Sequence, residues 1–273
     1  MQNALAMRVS RLHSIVRKLR LIARSDLVGI DKLRYILNES NESGRGAGLT
    51  AYTLRGGMSV ALRKGTTDFK VFDEIFVERA YAPCVAGLPA DLGPVTLIDL
   101  GANIGLSVLF LTRAIEVGAI IAVEPDPENF RVLSENLRRT GLANRSIALR
   151  AFAGAEPACA ELLDSGNGAW GMRMGALSDT GIPVLPLTGI ADAAKAGSPI
   201  LLKCDIEGGE RQLFLHIRDW DHLVRYIILE LHTEFLSFDE LLACLRSSDF
   251  RWTVHGSPLN GASIALLLLE RLP

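Results

Sequence analysis

Residues 95–126, VTLIDLGANIGLSVLFLTRAIEVGAIIAVEPD, read as one continuous unit. An apolar strand ends in Asp99, a glycine turn leads into an amphipathic helix, and a second apolar strand ends in Glu124. This is a nucleotide-binding βαβ unit, and its details restrict the ligand.

A dinucleotide fingerprint reads G-x-G-x-x-G and seats a pyrophosphate over the helix N-terminus. Here the turn is Gly101-Ala102-Asn103-Ile104-Gly105, without the middle glycine that lets backbone approach a pyrophosphate. Asp99 adds a carboxylate where diphosphate charge would gather, so an anionic ligand is expected to be repelled at short range. A ligand without phosphates suits such a turn, and S-adenosylmethionine meets the requirement. Its ribose diol can chelate Glu124, its ammonium can meet Asp99 directly or through water, and its carboxylate can take the helix N-terminus. Asp126, beside Glu124, joins the expected cofactor residues. A nicotinamide oxidoreductase remains as a rival that the glycine pattern disfavours.

At 273 residues, 49% hydrophobic and 22% charged, the chain can bury one large core and carry an appendage. A net charge of −2 argues against nucleic acid as the main partner, because phosphate binding requires a basic excess. Cys84, Cys159, Cys204 and Cys244 include no C-x-x-C pair, so neither a zinc site nor a disulfide framework is expected and a cytoplasmic setting is the default. No run approaches the length of a membrane span.

The first 25 residues hold Arg8, Arg11, Arg17, Lys18, Arg20 and Arg24 and no acid, while Leu5, Val9, Leu12, Val16, Leu19 and Ile22 recur at helical spacing. Such a basic amphipathic helix fits packing on its own domain or on a sister subunit in a homo-oligomer, peripheral contact with a membrane, or an organelle transit peptide. As a membrane or assembly anchor it would also suit a non-catalytic module.

Three segments follow from the patterning: a helical extension over 1–45, a hairpin and helix over 46–94, and a catalytic domain over 95–273. The Asn41–Gly46 stretch is a polar break, and Leu49–Arg55 and Met58–Arg63 flank Gly56-Gly57 as a tight hairpin. Phe69, Phe72, Ile75 and Phe76 predict a helix over Asp68–Tyr81, and Leu88–Pro94 a linker. Strands are then expected at 95–99, 119–124, 147–152, 199–205 and 224–231, and helices near 103–116, 127–140, 208–218 and 237–247. That alternation implies an α/β fold with a mostly parallel sheet and helices on both faces. Phe250–His255 and Ile264–Glu270 leave no room for a helix between them, so they must pair antiparallel and end the sheet in a reversed strand. A parallel sheet with a terminal hairpin is the Rossmann-like methyltransferase architecture. Gly154–Pro183 breaks the alternation with a glycine-rich stretch around Trp170, suited to a lid, a substrate wall or a plain surface loop.

A second constellation sits at Ile200–Glu210, ILLKCDIEGGE, where a buried strand delivers charge at its carboxyl end. Ligands of open α/β sheets bind outside the carboxyl ends of the strands, which places Asp205 at the same crevice as Asp99 and Glu124. The next strand ends in Glu230-Leu231-His232, with Glu230 and His232 on one face by period-two alternation. Asp205, Glu207, Glu230 and His232 thus form the candidate catalytic group, and Asp205, Glu207 and Glu230 the candidate ligands for a divalent cation such as Mg²⁺. Structural roles compete: Lys203 can simply pair with a carboxylate, Glu207 and Glu210 can complement a helix N-terminus, and His232 can be a satisfied core histidine. Cys204 alternates away from Asp205 and reads as a small buried hydrophobe.

The motifs DLGANIGLS (99–107), AVEPDPENFRVLSENL (122–137), LLKCDIEGGE (201–210) and IILELH (227–232), with LRKGTTDFKVFDEIFVERAY (62–81) upstream, together resemble the FkbM family of S-adenosylmethionine-dependent methyltransferases. The resemblance spans about residues 62–255 and leaves out the basic N-terminus. It implies Asp99, Gly101, Asn103, Gly105 and Glu124 as cofactor contacts, and methylation of a hydroxyl oxygen on a sugar or natural product. Acceptor identity and metal use do not carry over. An alcohol needs a positioned base, either His232 or a carboxylate of the Asp205, Glu207 and Glu230 group. Where amine methylation of adenine or glutamine uses N/D-P-P-Y/F, this chain has Asp205-Ile206-Glu207-Gly208, which favours oxygen. Cys204, inside a strand, is badly placed for cytosine C5 chemistry.

Overall fold

A computed structural model describes residues 23, 25–39, 48–164, 172–193, 198–257 and 262–272. The basic segment before Ala23, the Asn41–Gly46 break and the stretch around Trp170 lie outside the described residues. The chain divides into two compact units between Arg79 and Ala80.

In the first unit, α1 (Asp31–Glu39) is followed by a hairpin of β1 (Leu49–Thr53) and β2 (Ser59–Arg63) and by α2 (Asp68–Phe72). The hairpin is antiparallel as expected, but its loop is longer than two residues. Leu54 donates across the turn to the Met58 carbonyl and also bridges with Leu27, and the glycines turn at φ +93° and +85°. The helix expected over Asp68–Tyr81 is not continuous: α2 passes into a π turn at Asp73–Val77, and Arg79 then takes a positive φ of 58°. Tyr35 packs on Tyr52, Phe69 and Phe72 and donates its hydroxyl to Asp73 at 2.9 Å.

The second unit opens with α3 (Ala82–Ala86) and then builds the expected βαβ unit as β3 (Val95–Leu100), α4 (Leu106–Ala114) and β4 (Val117–Val123). There follow α5 (Pro127–Arg139), β5 (Ser146–Leu149), β6 (Phe152–Gly154), β7 (Ala158–Asp164), β8 (Met172–Leu177), β9 (Ile182–Pro186) and α6 (Leu187–Ala193). The chain closes with β10 (Ile200–Cys204), α7 (Glu210–Leu215), β11 (Val224–His232), α8 (Phe238–Ser247), β12 (Trp252–His255) and β13 (Ile264–Arg271).

Seven strands form the main sheet in the order β12-β13-β11-β10-β3-β4-β5. β3, β4, β5, β10 and β11 pair in parallel. β3 and β10 are buried along their whole length, because helices cover both faces of a parallel sheet and the strands must be apolar throughout. The result is a Rossmann-like α/β fold with a mostly parallel sheet. Its terminal hairpin is antiparallel as expected, but the reversed strand is not the outermost one. β13 inserts between β11 and β12, since its Ala265, Leu267, Leu268 and Leu269 are buried whereas β12 is half-exposed.

Two further expectations are corrected. The strand placed at 147–152 divides, with β5 in the main sheet and β6 in a separate four-stranded sheet of order β6-β9-β7-β8. The described parts of Gly154–Pro183, read as a loop, supply β7, β8 and the start of β9, and α6 was not anticipated. Phe152, Ala160 and Val184 make a small core of their own beneath that second sheet.

Candidate active site

The glycine turn after β3 is shaped by three positive φ angles, at Gly101 (+73°), Asn103 (+49°) and Gly105 (+86°). Amides of Gly101 and Ala102 donate to the Val123 carbonyl, which brings the turn against the end of β4. A Cβ on Gly101 would lie 1.7 Å from the Asp205 carbonyl oxygen, so the β3 and β10 loops touch there through bare backbone. A Cβ on Gly105 would meet Leu133 at 2.8 Å, so this glycine allows α5 to pack close to the turn.

At the end of β4, Glu124 is buried, with Asn103 N donating to Oε2 at 2.8 Å and Asp126 N to Oε1 at 2.9 Å. Asn129 Nδ2 stands at 3.5 Å from Oε1. A carboxylate offers about four acceptor directions, so Glu124 keeps capacity for a hydroxyl pair such as the ribose diol of S-adenosylmethionine. Burial pushes its pKa up to about 7, against the pull of the two amides. The donor set thus fits the sugar of that cofactor. Asp126 takes a different part: its side chain accepts from Asn129 N at 2.7 Å and caps α5.

Asp99 requires a correction. Its carboxylate is fully buried; Ser107 donates to Oδ2 and the Lys203 ammonium lies 3.2 Å from Oδ1, out of line for a hydrogen bond. An enclosed, internally paired carboxylate does not offer itself directly to a ligand ammonium, and its charge does not act as a bare repellent to phosphate.

Lys203 is the residue whose importance the spacing did not reveal. It is 2% exposed, reaches Asp205 Oδ2 at 3.2 Å as well as Asp99, and donates to the Gly101 carbonyl at 2.9 Å. Burial favours the neutral amine, but Asp205 and Asp99 outweigh it and hold the pKa well above the ordinary lysine value. One ammonium therefore ties together both loops that form the crevice edge. Tyr81, also unanticipated, is buried just before α3 and feels the charges of Lys203, Glu230, Asp205 and Asp99, while burial raises its pKa well above 10.0.

Of the four candidate catalytic residues, Asp205, Glu207 and His232 come together. His232 Nε2 is 3.8 Å from Glu207 Oε2, and its Nδ1 is 3.0 Å from Oε1 of Glu210. Glu230 joins the same group of charges through Lys203 and Tyr81, on which Asp205 and Asp99 also act. Glu207 keeps 29% of its side chain exposed, and burial of the rest together with the Asp205 charge lifts its pKa to about 7, against the pull of His232. Burial works against a charged His232, yet the hydrogen bond with Glu210 and the charges of Glu210, Asp205 and Glu207 win and raise it to about 9. Those partners favour the protonated imidazole, which makes Glu207 rather than His232 the better placed proton acceptor. Cys204 is a buried hydrophobe as expected, with its thiol pKa pushed up by burial.

A metal centre fits poorly. One ligand atom from each of Asp205, Glu210 and His232 lies within 4.8 Å of the others, a different set from Asp205, Glu207 and Glu230. Glu210, however, already accepts from Ile206 N at 2.9 Å and Gly208 N at 2.7 Å while it engages His232, and Lys203 supplies a cation beside Asp205. A hard cation there would have to displace that network.

Residues 99–252 match the family model described as the methyltransferase FkbM domain. The chain is 27% identical to the 31-O-demethyl-FK506 methyltransferase FkbM of Streptomyces tacrolimicus, over 76% of its own length and 90% of that protein's. It is 39% identical over 67 residues, 24% of either chain, to the methyltransferase sdnD of Sordaria araneosa. Among solved structures, a methyltransferase FkbM from Methylobacillus flagellatus KT aligns at 20% identity and a TM-score of 0.44, over 75% of this chain and 53% of that one. No described helix is long and apolar enough to cross a membrane.

Proposed function

Because the chain belongs to the FkbM family of methyltransferases, we propose that it transfers the methyl group of S-adenosylmethionine to a hydroxyl oxygen of a sugar or small-molecule natural product. When bound, that cofactor supplies an electrophilic sulfonium methyl, so the protein's tasks are alignment and removal of the acceptor's proton. Glu124, held by the amides of Asn103 and Asp126, receives the ribose hydroxyls. Lys203 keeps the Gly101 and Asp205 loops in register beside it.

Glu207 takes the acceptor's proton. Its pKa near 7 leaves it half ionised at neutral pH and strong enough to accept a proton once the hydroxyl is being consumed. His232, charged and 3.8 Å away, favours its ionised form. The observation that most supports this reading is the position of that partly exposed carboxylate, following β10 at the same carboxyl edge of the sheet as Glu124. Transfer to oxygen also accords with the relative from Streptomyces tacrolimicus, a 31-O-demethyl-FK506 methyltransferase. Partners on this reading are a hydroxylated small molecule or glycan, with the basic N-terminus left for membrane or subunit contact.

Titration calorimetry with S-adenosylmethionine and S-adenosylhomocysteine, followed by mass spectrometry of a polyol panel, tests the proposal. Micromolar binding and a gain of one methyl on a hydroxyl support it. Binding of NAD with no binding of either adenosyl compound would remove it.

A further inference from the structure

We propose that Glu210 is a positioning residue of the transfer reaction: its buried carboxylate clamps the Ile206–Gly208 turn and orients His232, and the two together present Glu207 at the carboxyl edge of the sheet. The inference deepens the proposed function and rests on Glu207 as its base.

Glu210 opens α7 but does not behave as a carboxylate that merely complements a helix N-terminus, which would face water. It is fully buried and turned back on the preceding loop, where Oε1 takes the Ile206 amide and Oε2 the Gly208 amide. Those amides flank Glu207, whose φ of +51° lies in the left-handed region that costs a non-glycine residue about 1 kcal/mol or more. Gly208 follows at φ +99°, where a Cβ would lie 2.9 Å from the Phe235 ring. A strained conformation persists only when its surroundings enforce it, and here the enforcing group is Glu210.

The same Oε1 meets His232 Nδ1 at 3.0 Å, so the imidazole's orientation is set from behind and its Nε2 faces Glu207. The charged groups that bear on His232 are Glu210 from α7 and Asp205 and Glu207 from the turn, with Lys203 beyond Asp205. An imidazolium donates from both nitrogens, which lets it hold one carboxylate while steering the other. A neutral imidazole could donate to only one of these two carboxylates, since its other nitrogen is an acceptor.

The test uses the full chain and the variants Glu210→Gln and His232→Gln. NMR titration of the His232 ring, assigned by its loss in His232→Gln, should show a midpoint at least one pH unit lower in Glu210→Gln than in the wild type. Turnover in Glu210→Gln should fall 10- to 100-fold, with less than a twofold change in S-adenosylmethionine affinity. An unmoved His232 midpoint, or a turnover loss that merely tracks the fraction unfolded, overturns the proposal. If Glu210→Gln does not fold, His232→Gln decides. Removing the cation should move the acid limb of the turnover profile up by about one unit, and an unmoved limb counts against the idea. If the wild type methylates no hydroxyl at all, the function reading fails, while the NMR titration still judges the Glu210–His232 relationship.

Discussion

Lys203 and Asp99 are register partners on adjacent parallel strands, and the ammonium of one lies 3.2 Å from the carboxylate of the other with both side chains buried. The pair is enclosed rather than open to solvent. Because Lys203 also reaches Asp205 and the Gly101 carbonyl, one charge balances two acids and sets the spacing of the two loops on which the site is built.

Removing that cation should be costly. Lys203→Met strips Asp99 of its cation and leaves it enclosed with Ser107 as its remaining polar partner, and such one-sided breaks cost about 3–5 kcal/mol. Urea denaturation should show that loss, and adding Asp99→Asn should recover a substantial part of it. A double variant no more stable than the single one would mean that the pair is not what holds the loops.

Gly101→Ala should be far worse than Gly56→Ala, although both glycines have positive φ. The Gly101 Cβ meets backbone oxygen at 1.7 Å, which nothing can yield to, whereas Gly56 has open space around it. Thermal melts should show a loss above about 4 kcal/mol at Gly101 and about 1 kcal/mol at Gly56.

Glu124 links stability to pH in a definite direction. Its folded pKa of about 7 lies above the ordinary 4.5, so its contribution is full below about pH 4.5 and is lost as pH rises through 7. On the order of 3 kcal/mol rides on that window. Denaturation midpoints of Glu124→Gln should vary less between pH 5 and 8 than those of the wild type. Conversely, S-adenosylmethionine affinity in the wild type should rise with pH through 7, because sugar hydroxyls donate to the ionised carboxylate. Calorimetry at pH 5.5 and 8 measures that change.

Glu207→Gln should lower turnover by about 10²–10⁴-fold and abolish the acid limb near pH 7, while leaving cofactor affinity within twofold. Stopped assays across pH 5.5–9 would check this. An intact limb would assign the base to another group.

Local pattern was enough for much of the architecture. Asp99, Gly101 and Glu124 declare the βαβ unit because strand, turn and helix periodicities are short-range properties of the chain, and the mainly apolar runs at 200–204 and 224–229 declare parallel strands for the same reason. Asp205 and Glu207 were recognisable because charge directly after a buried strand has few places to go. Two short strands with no helix between them had to pair antiparallel.

The partnerships were decided elsewhere. That Lys203 faces Asp99, that Glu210 turns back on Ile206 and Gly208, and that His232 lies between two carboxylates depend on strand register and on a helix docking over the sheet edge. The insertion of β13 between β11 and β12 and the separate sheet of β6 to β9 likewise follow from which strands find burial across long separations. Periodicity says which face of a segment is apolar, but it carries no information about which distant side chain will stand opposite. In this protein the pull toward a charged His232 and the enclosure of Asp99 are consequences of that second, tertiary choice.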